Sequence, residues 1–162
     1  GVLATEGTIR SESYPLEIHK LFPDIVVSQK ACPMWGPLIE NAEADKPGAD
    51  YFVSKYLSEL LDADPHIDTL LLGCTHYPLL LDKIESYLAT RESWLAAGGK
   101  CLTQGKLVAD ALSDYLRRHP DLDNTCTKGA TTHFLTTESA TMFASAASLF
   151  LSEDISATHV EY

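Results

Sequence analysis

The sequence predicts an α/β fold built on a small, mostly parallel sheet flanked by helices. Short apolar runs alternate with amphipathic stretches, the rhythm of parallel βαβ units joined by right-handed crossovers. The run around Ile67, Leu70, Leu71 and Leu72 is almost continuously apolar, which reads as a strand buried on both faces. The chain has 162 residues, 45% of them hydrophobic and 22% charged, so it is globular and long enough to bury a core in one domain or two small ones.

Strands are expected near residues 1–5, 24–29 and 67–73. The first is followed by a polar turn, Thr5-Glu6-Gly7-Thr8. Ser11 suits a helix cap before Tyr14, Leu16, Ile18 and Leu21. Pro23-Asp24 breaks that helix, and Ile25-Val26-Val27 supplies the second strand. Cys32-Pro33 opens an irregular or helical piece that runs into the acidic residues Glu40, Glu43 and Asp45. Lys46-Pro47-Gly48 reads as a turn, and residues 49–61 as an amphipathic helix. After the third strand, Gly73 allows a tight turn or a close approach, and Pro78 suits the first turn of the next helix. Ala96-Ala97-Gly98-Gly99 marks the internal boundary. Beyond it are expected a strand at 100–103, a helix at 105–118, a polar loop at 121–130, a short strand at 133–135, a helix at 142–151 and a final strand at 157–162.

The net charge of −11, from 12 basic and 23 acidic residues, argues against nucleic acid or an anionic membrane surface as a partner. No apolar run approaches membrane-spanning length. Cys32, Cys74, Cys101 and Cys126 lie far apart with no CxxC pair, which reads as reduced thiols in a cytoplasmic protein. Residue 1 is a glycine that opens straight into a strand, as expected of a fragment or a processed product.

Cys74 is the leading candidate for chemistry, because it falls at the carboxyl end of a strand and over the start of a helix. A helix end contributes about 0.3–1 kcal/mol, whereas one pKa unit corresponds to about 1.4 kcal/mol. The helix alone therefore shifts a thiol by less than one unit, and a second group must help. His76 is the nearest. A buried structural cysteine and a packing histidine are the plainer alternatives on local sequence alone. Cys74 and His76 are a poor match to zinc-ligand spacing, so no metal is expected. Thr5, Thr8 and Thr75 should gather on one rim, where hydroxyls can hold a carboxylate, though ordinary turn chemistry explains any one of them. Glu40 is either a general acid/base or a solvated charge.

Gly-Cys-Thr-His-Tyr-Pro-Leu-Leu at 73–80 closely resembles the signature of bacterial glutamate racemases, in the aspartate/glutamate racemase superfamily. The resemblance extends to residues 1–11 with Tyr14, to Ala31-Cys32-Pro33 and Leu38-Ile39-Glu40, and to Phe134-Leu135-Thr136-Thr137. Aspartate racemases carry the Gly-Cys-Thr without the His-Tyr-Pro, so glutamate is the expected substrate.

The resemblance implies a flavodoxin-like half with residues 1–97 as a second racemase domain. Residues 98–162 would then be a C-terminal segment that completes a first domain. It implies inversion of glutamate at the α-carbon by two cysteines and no cofactor, supplying D-glutamate for peptidoglycan in the cytoplasm. Cys74 would be the second of those cysteines, Thr75 and His76 would contact substrate or assist it, Thr5 and Thr8 would hold substrate, and Glu40 would support proton transfer. The family's Cys-Asn-Thr and Asp-Ser motifs do not occur here, and Leu102-Thr103-Gln104-Gly105 stands where the family usually reads Asp-Ser-Gly. These residues alone are thus expected to fold at least through residue 95 and to be inactive, with an apolar tail that drives homodimerisation or other self-association, or local disorder. The competing readings are a non-catalytic binding or regulatory module, an aspartate racemase-like enzyme, and a cysteine hydrolase.

Overall fold

β1 (Val2–Ala4) is buried along its whole length and has a neighbour on each side. The computed structural model describes residues 1–161, and among them the chain divides into two compact units, residues 1–109 and residues 110 onward. In the first unit β1 pairs in parallel with β2 (Gln29–Ala31) and with β3 (Thr69–Leu72). β4 (Lys100–Leu102) extends the sheet in parallel beyond β3. The strand order is therefore β2-β1-β3-β4.

Helices cover both faces. Between β1 and β2 run α1 (Glu6–Ser11) and α2 (Ser13–Leu21). After β2 come α3 (Trp35–Glu40) and α4 (Pro47–Ala63). α4 buries Val53, Tyr56, Leu57, Leu60 and Leu61, a stripe at helical spacing. Leu60 and Leu70 both crowd the Cα of Gly1, which puts α4 on the sheet face toward which Leu70 and Leu72 point. Tyr14 of α2 lies against Gly73 on the opposite face. A 3₁₀ turn (Tyr77–Leu80) leads into α5 (Leu81–Leu88), which packs on α4, and α6 (Glu92–Ala96) precedes β4. At the amino ends of the strands, Ser28 donates to Asp64 at 2.6 Å and holds its carboxyl below the usual range.

α7 (Gln104–Arg118) carries the chain out of the first unit. Further on lie α8 (Pro120–Thr125), β5 (Phe134–Thr136), α9 (Ala140–Leu151) and β6 (Ala157–His159). β5 and β6 pair in parallel, and the Phe134 and Phe143 rings pack 6.3 Å apart. Tyr162, the last residue of the expected final strand, lies outside the described residues.

The α/β class holds, with every paired strand among the described residues parallel. Several elements differ from expectation. The second strand is Gln29–Ala31, while Ile25 and Val26 sit in the preceding loop, Val26 at 81% exposed. Thr5-Glu6-Gly7-Thr8 is the start of α1, and Glu12, in a left-handed conformation, separates α1 from α2; Ser11 ends α1, and its hydroxyl accepts from the first N–H of α2, Ser13, at 3.3 Å. β3 is not buried on both faces: Leu70 and Leu72 are covered, and Thr69 and Leu71 only half so. Pro47 opens α4 instead of completing a turn, and residues 120–125 are helical. The compact units part after Ala109, and β4 is hydrogen-bonded into the first sheet.

Candidate active site

The chain leaves β1 toward β2 on one side and later returns to β3 on the other. Crossovers therefore diverge between β1 and β3, and in open parallel sheets a crevice forms at such a point, outside the carboxyl ends of the strands. β1 is followed there by Thr5, and β3 by Gly73 and Cys74.

Gly73 donates its N–H to the Leu3 carbonyl at 2.8 Å, which continues the β1–β3 ladder up to the turn. Cys74 follows, half-buried, and its Sγ lies 3.8 Å from His76 Nδ1. His76 Nε2 lies 3.3 Å from the Glu40 carboxylate at the end of α3. The order thiol, imidazole, carboxylate has a chemical consequence. A neutral imidazole that keeps its proton on Nε2, facing Glu40, offers the Nδ1 lone pair to the thiol proton. His76 and Glu40 are 33% and 59% exposed, so their contact contributes only about 0.2–1 kcal/mol and does not by itself hold this geometry.

Buried contacts beneath the site do more to hold it. The Tyr77 hydroxyl donates to the Cys32 carbonyl at 3.1 Å, and the Tyr77 ring meets Trp35 edge-on at 4.8 Å. Cys32 is itself buried, which pushes its thiol well above the usual range, so it is a packing residue and a poor nucleophile at neutral pH. On the other side of the turn, Tyr14 accepts a hydrogen bond of 2.6 Å from the Gln104 amide.

Thr5 and Thr8 stand at the end of β1, with their hydroxyls 3.0 Å apart. Thr5 also caps α1 by accepting from the Thr8 N–H at 3.3 Å. Thr75 is exposed beside Cys74. The fold thus brings Cys74, His76 and Glu40 into one contact chain and sets Thr5, Thr8 and Thr75 on the rim of the same two strands. Tyr77, Tyr14 and Gln104 stand in stretches that the sequence marks, but their supporting contacts could not be read there, since a side-chain hydroxyl reveals its partner only in three dimensions. Among the described residues no cluster of three or more His, Cys, Asp or Glu side chains is arranged to hold a metal ion.

No protein-family model matches the chain. Individual relatives do. A glutamate racemase from Lactiplantibacillus plantarum is 35% identical over 166 residues, covering 99% of this chain and 56% of the relative. One from Carnobacterium sp. is 33% identical over 161 residues, covering 99% and 57%. The crystal structure of glutamate racemase from Francisella tularensis in complex with D-glutamate superposes with a TM-score of 0.82 at 28% identity, covering 99% of this chain and 57% of that one. The chain thus spans a little over half the length of the curated relatives that it matches. By sequence along nearly its whole length, and by fold, this chain is similar to glutamate racemases over a little over half of their length.

Proposed function

We propose that the protein to which these residues belong interconverts L- and D-glutamate by proton transfer between two thiols, with Cys74 as one of them. The observation that carries this reading is the Cys74–His76–Glu40 contact chain at the divergence point of the sheet. The Cys74 thiolate takes the α-proton from one face of the substrate, the electron pair stays on the α-carbon and its carboxylate, and a thiol on the opposite face supplies a proton. His76 receives and returns the Cys74 proton between turnovers, and Glu40 holds the imidazole in the useful tautomer. A group that alternates between acid and base must be able both to take and to return a proton at the working pH. Thr5, Thr8 and Thr75 offer hydroxyls to the substrate carboxylates. The chemistry asks for no cofactor.

In this reading residues 1–97 act as the domain that carries Cys74, the remainder completes the domain that carries the other thiol, and the product feeds peptidoglycan synthesis in the cytoplasm. The competing reading, a non-catalytic binding module, draws on the absence of a Cys-Asn-Thr motif from these residues.

The test is incubation with L-glutamate in D2O, followed by NMR at the α-position and chiral chromatography. The 162 residues alone are expected to exchange the α-proton slowly with retention, to form no D-glutamate, and to lose exchange in Cys74→Ala. Glutamate binding without any exchange would favour the binding module, and a cleaved product would favour a hydrolase. Rapid D-glutamate formation, lost in Cys74→Ala, would show that a second acid/base lies within these residues.

A further inference from the structure

Tyr77 stands one residue after His76 and is 1% exposed. Its hydroxyl donates to the carbonyl of Cys32, the residue that follows β2 and whose own N–H is held by the Ala4 carbonyl at 2.9 Å. Its ring packs edge-on against Trp35, which is fully buried and donates its indole N–H to the Phe52 carbonyl at 3.2 Å. Trp35 opens α3, and Glu40 closes it. The segments 74–77 and 32–40 therefore meet twice, in the core through Tyr77 and Cys32, and near the surface through His76 and Glu40. The outer contact joins partly exposed groups that water and salt screen, so it follows the geometry that the inner contact imposes.

We propose that the Tyr77 hydroxyl is a positioning group that sets the reach of Cys74 to His76 and of His76 to Glu40. The proposal rests on the reading of Cys74 as a proton-transfer thiol. Burial pushes the Tyr77 phenol far above its usual range, so it remains a donor at any working pH.

The test reads the thiol and not racemisation. Cys74 alkylation by iodoacetamide is followed from pH 6 to 9 by peptide-resolved mass spectrometry, with the exposed Cys126 as internal reference. Tyr77→Phe keeps the ring and is expected to slow Cys74 by about fivefold at neutral pH, the effect of one lost hydrogen bond, and to displace its pH profile. In a His76→Ala background the same substitution is expected to change nothing further. Tyr77→p-aminophenylalanine, which restores a weaker donor, should give a rate between those of Tyr77→Phe and the parent. If Tyr77→Phe does not fold, the p-aminophenylalanine variant carries the comparison in both backgrounds. An unchanged Cys74 rate, or equal slowing with and without His76, would overturn the proposal. Absence of α-deuterium exchange in every variant would instead sink the racemase reading while the thiol rates still decide the role of Tyr77.

Discussion

At Gly73 an added Cβ would lie 3.0 Å from the Tyr14 ring, 3.1 Å from the Ala4 Cβ and 3.3 Å from the Leu3 carbonyl. Leu3 and Ala4 are fully buried in the middle strand and have nowhere to go. Gly73→Ala is therefore expected to destabilise the first unit by about 1–3 kcal/mol, as overpacking does. Urea unfolding measures this, and an unchanged midpoint would show that the Cys74 turn tolerates displacement. The glycine and the cysteine were legible as a strand end with chemistry beyond it, because local spacing carries that signal. The contacts that make the glycine necessary were not. Tyr14 reaches the turn from a distant part of the chain, Gln104 reaches Tyr14 from another, and nothing local encodes such meetings.

Among the elements, β2 shows best where local pattern yields to pairing. Ile25, Val26 and Val27 have the stronger β-propensity, yet the ladder forms at Gln29, Lys30 and Ala31, opposite Val2, Leu3 and Ala4. Register with β1 decides, and the Ser28–Asp64 bond fixes where the strand begins. α8 was marked by Pro120 at its first position and by acidic residues in its first turn, signals outweighed by its polar composition. The amphipathic α4 and α7 were plain in the sequence because their apolar stripes recur at helical spacing. α3 is short and buries Trp35 and Ile39, of which Trp35 packs against Tyr56 and Tyr77. Trp35→Ala is expected to cost about 3–5 kcal/mol and to free Glu40 from His76. Denaturant unfolding reads the first effect, and the loss of His76-dependent Cys74 labelling reads the second.

For the molecule as a whole, the fold class was readable from alternation alone, while the division after Ala109 required knowing that β4 joins the sheet. Val108, Leu112 and Met142 are 62%, 56% and 75% exposed, Phe143 is 37% exposed, and Phe150 is half-buried. Exposed apolar surface on this scale drives association despite the net charge of −11. Sedimentation equilibrium of the 162 residues should show mass rising with concentration, and Leu112→Glu with Met142→Glu should return it toward the monomer. A concentration-independent monomer would contradict this. Stability should also fall in alkali. Burial, with Glu85 adding to it, raises the Cys101 thiol from an ordinary 9.0 to about 11, and burial raises Cys32 too. A raised thiol pKa means that folding favours the neutral form. Its contribution is complete below pH 9 and is lost as pH climbs toward 11. The urea midpoint should drop across that window, and less steeply in Cys101→Ala.

The strand order also has a consequence in time. β1 is made before the other strands of its sheet and ends up in the interior, between a partner that lies some 25 residues ahead and another nearly 70 ahead. As the ribosome extends the chain, β2 can close only one side. The other edge of β1 stays open until Thr69–Leu72 clears the exit tunnel, and the thiol that follows those residues emerges together with the strand that seals the sheet. The growing chain thus carries this edge of β1 unpaired until β3 follows it, and it acquires Cys74 at the moment when that exposure ends.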